Sequence, residues 1–186
     1  MQPVLNLSRT ELARRLYEIS HITGEFELRS GATSHEYFDK YLFESDPLLL
    51  KNIAMQLSET MDSGLFANAK CLAGLEMGGI PIATILSQET GIPSLFVRKV
   101  AKTHGTNKLA EGPEFTGQRV VIVEDVVSSG GQIIISTGDL IERGAIITDA
   151  ICVIDRESGG REKLEDAGIA LHALFTMTEL KQHLSA

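Results

Sequence analysis

Cysteine is scarce in this chain, positive charge is outnumbered, and no apolar run approaches the length of a membrane helix. Each shortage closes a class of function. The two cysteines, Cys71 and Cys152, lie inside the apolar runs Lys70-Cys71-Leu72-Ala73-Gly74 and Ala150-Ile151-Cys152-Val153-Ile154, and read as buried, reduced thiols rather than a disulfide. Lys and Arg number 17 against 25 Asp and Glu, and the net charge of −8 argues against a general nucleic-acid binder while leaving room for a local basic site. No stretch nears the ~20 apolar residues that span a bilayer, and no signal peptide opens the chain, so a cytoplasmic protein with no membrane partner is expected. His21, His35, His172 and His183 lack metal-ligand spacing. Cys-x-x-Cys, Gly-x-Ser-x-Gly and Gly-x-x-x-x-Gly-Lys-Ser/Thr are all missing, so zinc, serine-hydrolase and Walker-type readings drop out.

What remains is an ordinary globular composition, 43% hydrophobic and 23% charged, in 186 residues, enough for one domain with a proper core. Ser8-Arg9-Thr10-Glu11 has the capping-box spacing, with Leu12, Leu16 and Ile19 on one helical face, and that helix is expected to end near Gly24. Phe26 to Arg29 alternates as a half-buried strand, Ser30 to Ser34 turns, and Glu36 to Asp39 runs back beside it, a small hairpin appendage. Asp46-Pro47 caps and starts a helix to about Asp62. Strands are then expected over Cys71–Gly74, Ser94–Val97, Val120–Val123, within Ile146–Ile154, and over Ile169–Phe175. Helices are expected over Ile80–Thr90, Gln132–Arg143, Gly160–Ala167 and Thr178–Leu184, and a polar stretch without elements over Arg98–Gly117. That alternation means an α/β fold with an open, mostly parallel sheet flanked by helices. Residues 1–45 form the appendage with its helix and 46–186 the core, one structural domain overall.

In such a sheet, ligands bind outside the carboxyl ends of the strands. The central stretch is Val120 to Gln132: a β-branched run, the acids Glu124 and Asp125 where the strand is expected to end, then Val126-Val127-Ser128-Ser129-Gly130-Gly131 before a helix. Small-residue backbone at a helix N-terminus cradles phosphate. Carboxylates repel phosphate, so an adjoining acidic pair makes sense if it holds the hydroxyls of an attached sugar or a bridging metal. Three other stretches would meet it. Gly74-Leu75-Glu76-Met77-Gly78-Gly79 is either a diphosphate-holding turn or a plain tight turn, and its Glu76 either faces away or reaches a metal. The basic segment from Arg98 to Pro113 is a lid or a solvated loop. Arg156, beside Asp155 and Glu157, either reads a carboxylate or imide edge or pairs with those neighbours.

Val121-Ile122-Val123-Glu124-Asp125-Val126-Val127-Ser128-Ser129-Gly130-Gly131 resembles the phosphoribosyl-diphosphate signature of the type I phosphoribosyltransferases. Three further stretches are similar to the orotate-specific branch of that family. They are Arg98-Lys99-x-x-Lys102-x-His104-Gly105 followed by Glu111-Gly112, the hood motif Phe26-x-Leu28-x-Ser30-Gly31-x-x-Ser34-x-x-Tyr37-Phe38-Asp39, and Asp155-Arg156-x-x-Gly159-Gly160. The resemblance implies the type I phosphoribosyltransferase fold and Mg²⁺-dependent transfer of 5-phosphoribosyl from its diphosphate to orotate. It implies that Arg98, Lys99, Lys102 and His104 contact diphosphate, that Glu124 and Asp125 bind the ribose hydroxyls, and that Val126, Val127, Ser128, Ser129, Gly130, Gly131 and Gln132 cradle the 5-phosphate. Orotate would meet Ser128, Arg156, Arg29, Tyr37 and Phe38, with Lys102 and Asp125 catalytic and no protein metal ligand. It implies, too, a homodimer sharing the lid loop between subunits. Arg29 replaces a lysine common in some relatives, Met77-Gly78 falls where some carry Tyr-Lys, and Gln132 departs from a frequent serine. A transferase for another nucleobase would share the acidic stretch and the glycine turn, but not the basic loop and hood together. A non-catalytic sensor of phosphoribosyl diphosphate would need a nucleic-acid-binding segment, for which the first 25 residues are too few.

Overall fold

A computed structural model describes residues 6–27, 33–61, 63–100 and 108–183. In chain order the elements are α1 (Arg9–Ser20), β1 (His21–Glu27), β2 (Thr33–Phe38), α2 (Lys40–Glu44), α3 (Pro47–Thr60), α4 (Ser63–Ala67), β3 (Cys71–Leu75) and α5 (Gly79–Thr90). Then come β4 (Ser94–Val97), β5 (Ala110–Glu111), β6 (Val120–Val127), α6 (Gly131–Glu142), β7 (Asp149–Asp155), α7 (Gly160–Asp166), β8 (Ala170–Thr176) and α8 (Met177–Gln182). Among the described residues, no helix is long and apolar enough to cross a membrane.

Six strands form the main sheet in the order β5-β4-β3-β6-β7-β8. Only β5 runs antiparallel; it pairs with β4 at the edge. From β3 the chain goes outward to β4 and then returns to β6 on β3's other side, which leaves a crevice at the carboxyl ends of β3 and β6. Strand alternation sends Val121 and Val123 of β6 into a core with Leu16, Ile53, Leu57 and Leu86, while Val120 and Ile122 face Ile133, Leu140 and Leu164 on the opposite side. Each such buried aliphatic side chain stabilises by about 1.5–3 kcal/mol. Cys71 and Cys152 are free thiols inside this core, and burial pushes Cys71 up to about 11.

The local signals explain most helix starts. Asp46 accepts from the Leu48 and Leu49 amides at 2.9 and 3.0 Å, with Pro47 at the first helical position. Ser8 accepts from the Glu11 amide at 3.2 Å, but Glu11 spends its carboxylate on Arg14 and Arg15 rather than closing the expected capping box. Helix α1 stops at Ser20 instead of near Gly24, because His21, Ile22 and Thr23 pair with Phe38, Tyr37 and Glu36 across the hairpin. A hairpin is present, but its strands begin earlier than expected, at His21 and Thr33, so that Ser34 pairs with Phe26 instead of turning; Leu28 to Ala32 lie outside the described residues.

Four further departures follow from sheet pairing and packing. β6 runs on to Val127, because Val126 and Val127 pair with Ile154 and Asp155 of β7. The acids therefore lie within the strand. β5 sits inside the stretch expected to be irregular. The segment from Ile146 to Thr148 makes only one bridge, Ile146 to Arg119, before β7 begins. The short helices α2 and α4 carry too few turns to show a period.

Candidate active site

At the β3/β6 crevice lies a cavity of about 380 Å³, and three walls define it. The first is the turn after β3. Its Glu76 amide donates to the Val97 carbonyl at 2.8 Å, and its carboxylate accepts from the Lys99 amide at 3.0 Å. Glu76 thus fastens the start of the basic segment to the glycine turn, and both Glu76 and Lys99 line the cavity.

The second wall is the loop between β6 and α6. Gly130 adopts φ 69°, a left-handed conformation in which a side chain is strained, and a Cβ there would fall 3.1 Å from the Gly160 carbonyl. Gly160 in turn approaches the Ser128 carbonyl so closely that its Cβ would lie 2.4 Å away. Two glycines therefore let the start of α7 pack beneath the loop. No described side chain caps α6, so its first amides face the cavity at Gly131, Gln132 and Ile133. Free amides and the helix dipole make this an anion site. Ser128 and Ser129 add exposed hydroxyls.

The third wall comes from the hairpin side, with Tyr37, Lys40 and Tyr41. Lys40 Nζ lies 2.5 Å from Asp125 Oδ2 and 5.3 Å from the Tyr41 ring centroid. One helical turn on, Glu44 reaches the same acid. A Cβ at Gly78 would fall 1.4 Å from Asp125 Oδ2 and 2.8 Å from Glu44 Oε1, so only glycine fits where turn, strand and α2 converge. Burial and the hydrogen bond to Asp125 push Glu44 up to about 9, so it is a protonated acid at neutral pH. Burial and the Asp125 charge likewise raise Glu124 well above the carboxylate range. Burial pushes Asp125 up as well, but hydrogen bonds from Glu44 and Glu124 and the Lys40 ammonium outweigh it and hold Asp125 low.

The structure gathers part of the expected set. Glu124, Val126, Val127, Ser128, Ser129, Gly130, Gly131, Gln132, Lys99 and Tyr37 line the cavity. Asp125 does not: it is fully buried, because the strand continues and alternation turns it toward the face that α2 covers. Phe38, next to Tyr37 on β2, packs on the opposite side against Tyr17 and the core, for the same reason. Arg98 lies outside the wall; its backbone pairs with Leu109. Arg156 is exposed and off the cavity, and its neighbours are engaged elsewhere, Asp155 with Arg161 at 2.9 Å and Glu157 with the Thr178 amide at 2.8 Å. Arg29, Lys102 and His104 lie outside the described residues. Sequence reasoning missed Lys40, Tyr41 and Glu44. The Lys40/Glu44 spacing of four marks one helix face, but nothing in the order of residues shows that this face meets Asp125.

Residues 43–171 match the family model described as phosphoribosyl transferase domain. A protein of Nocardioides sp. named orotate phosphoribosyltransferase is 44% identical over 91% of this chain and 92% of its own length. One of the same name from Methanocella arvoryzae is 39% identical over 92% of this chain and 96% of its own. The crystal structure of Mycobacterium tuberculosis orotate phosphoribosyltransferase in complex with Fe(III) dicitrate superposes with a TM-score of 0.79 at 29% identity, covering 92% of this chain and 98% of that one.

Proposed function

This chain belongs to the phosphoribosyl transferase family, and on that premise we propose that it is an orotate phosphoribosyltransferase. It transfers 5-phosphoribosyl from phosphoribosyl diphosphate to orotate and releases diphosphate and orotidine 5′-phosphate, in pyrimidine biosynthesis. One observation carries the reading: a cavity-facing acid, Glu124, and an uncapped helix N-terminus stand on one strand-loop-helix at the sheet's switch point. A sugar bearing a phosphate needs that pair of groups, one for hydroxyls and one for the anion.

In this reading the Ser128–Gly131 backbone holds the 5-phosphate, and Glu124 accepts from the ribose hydroxyls. Cleavage of the ribose C1–O bond builds positive charge on the ring and negative charge on the departing diphosphate. Lys99, with Arg98, Lys102 and His104 of the same segment, supplies cations for the second. Orotate enters as its N1 anion, so no general base is required. Tyr37 and Tyr41 wall its ring, and Ser128, Arg156, Arg29 and Phe38 are its other proposed contacts. We propose Mg²⁺ as the ion beside the substrate's diphosphate. When bound there it offsets charge on the diphosphate. The enzyme acts in the cytoplasm as a homodimer whose subunits share the lid.

The test is direct. Purified protein with phosphoribosyl diphosphate and Mg²⁺ is expected to remove orotate absorbance, and to leave adenine, guanine and uracil unconsumed. No loss of orotate overturns the reading.

A further inference from the structure

The cavity has an ionic neighbour that the reaction as described leaves unused. Helix α2 is a five-residue helix, capped by Asp39, that follows directly on the last hairpin strand. Its residues Lys40 and Glu44, four apart, converge on one carboxylate of β6. Lys40 is also part of the cavity wall, with its side chain 31% exposed, whereas its partner Asp125 is 0% exposed.

We propose that Lys40 is a positioning residue for this reaction: it ties the Asp125 carboxylate to α2 and so leaves Glu124 as the strand acid turned to the sugar. The inference rests on the reading above for what the cavity binds, and on geometry for the rest. Asp125 has its alternatives blocked. The Gly78 backbone presses on it from one side, the Val126 amide donates to it from another, and Glu44 lies against it. Without the ammonium, three carboxyls would share one buried pocket with no cation. Charge would then be relieved by proton uptake or by swinging Asp125 toward the cavity, and either changes what the ribose meets.

Lys40 also links two parts of the site that the chain keeps far apart. Tyr37 stands three residues before it on the hairpin, and the phosphate loop starts three residues after Asp125. A base pressed against Tyr37 is therefore joined through one ion pair to the acid strand. The charged and titratable groups facing Asp125 are Lys40 and Glu44 from α2 and Glu124 on its own strand. The glycine turn presents backbone only.

The variants are Lys40→Met, which keeps the length of the chain, and Lys40→Arg, which keeps the charge. Lys40→Met is expected to lower kcat about 10- to 100-fold while the orotate KM stays within about threefold. The acid limb of its kcat–pH profile should move to higher pH as Asp125 gains a proton more easily, and Lys40→Arg should restore most of both. Unchanged kcat and an unmoved acid limb in a folded Lys40→Met protein overturn the proposal. If Lys40→Met does not fold, Lys40→Met/Asp125→Asn removes both charges together. Its kcat is expected to equal that of Asp125→Asn alone, and a further loss would mean that Lys40 acts on its own. A carboxyl NMR titration separates this idea from the choice of substrate, because it needs no turnover. Asp125 is expected to titrate higher in Lys40→Met than in wild type, and the same titration in both sinks the inference whatever the enzyme consumes.

Discussion

Two ionic clusters sit at opposite ends of the same sheet, and they are built on opposite plans. At the amino-terminal edge, Asp149 receives Arg119 at 2.7 Å, His172 Nε2 at 2.9 Å and the Thr148 hydroxyl at 2.6 Å. One acid is surrounded by donors. At the carboxyl-terminal edge, Glu44, Glu124 and Asp125 share the Lys40 ammonium. Burial raises Asp149, but the Thr148 and His172 hydrogen bonds and the Arg119 charge outweigh it and hold its carboxyl low. The first cluster gives its one acid three donors and ties the start of β6 to β7 and β8. The second is short of positive charge and holds a proton on Glu44, an arrangement that favours ligand chemistry over stability.

If that contrast is right, matched substitutions should separate activity from stability. The largest effect is expected from Gly78→Ala, whose Cβ displaces Asp125 and presses on Glu44. Orotate turnover should fall about 100-fold, and urea unfolding should show a loss of about 1–3 kcal/mol. Turnover close to wild type would mean that the buried cluster does not govern the cavity.

Asp125→Asn and Asp149→Asn form the next pair. Asp125→Asn should lower kcat at least about 10-fold and, because it strips Lys40 of its buried partner, also cost about 1–3 kcal/mol of stability. Asp149→Asn should cost about 1–2 kcal/mol and leave kcat within about twofold. A kinetic defect in the second variant would erase the distinction between the two edges.

The smallest effects lie in pH dependence, where Asp149 and Glu44 have opposite signs. The folded-state pKa of Asp149 is depressed, so its stabilisation is present above the ordinary value of 3.8 and is lost as pH falls through the lower folded value. Glu44 is an acid with a raised folded pKa. Its unfolded form loses the proton near 4.5 and its folded form only near 9, so stability declines as pH rises between those values. Glu44→Gln should therefore flatten the alkaline side of a stability–pH curve, with a gain on the order of 1 kcal/mol at pH 8. Asp149→Asn should flatten the acid side. Thermal melts across pH 3 to 9 read both, and matching curves for the two variants would contradict the assignment.

Much of this was legible before any coordinates. The phosphate loop is announced by small residues between a β-branched run and a helix, because only such residues bring backbone close to an anion. The Asp46-Pro47 start and the end of α5 at Gly91 are equally local. The extent of β6 was not, since a strand continues as long as a neighbour pairs with it, and β7 offers partners out to Asp155. The burial of Asp125 follows from that extent: an acid inside a strand takes its turn in the alternation, and here that turn points toward the face covered by α2. Helix α2 left no periodic trace in five residues.

The chain by itself thus determined that two adjacent acids and a small-residue loop at a helix start would be neighbours, because contiguous residues cannot be separated by folding. Only the tertiary structure decided which acid meets the cavity. That choice depends on β6 pairing with β7 and on α2 docking its Lys40 over Asp125, contacts between segments some eighty-five residues apart, from Lys40 to Asp125, that no local pattern encodes.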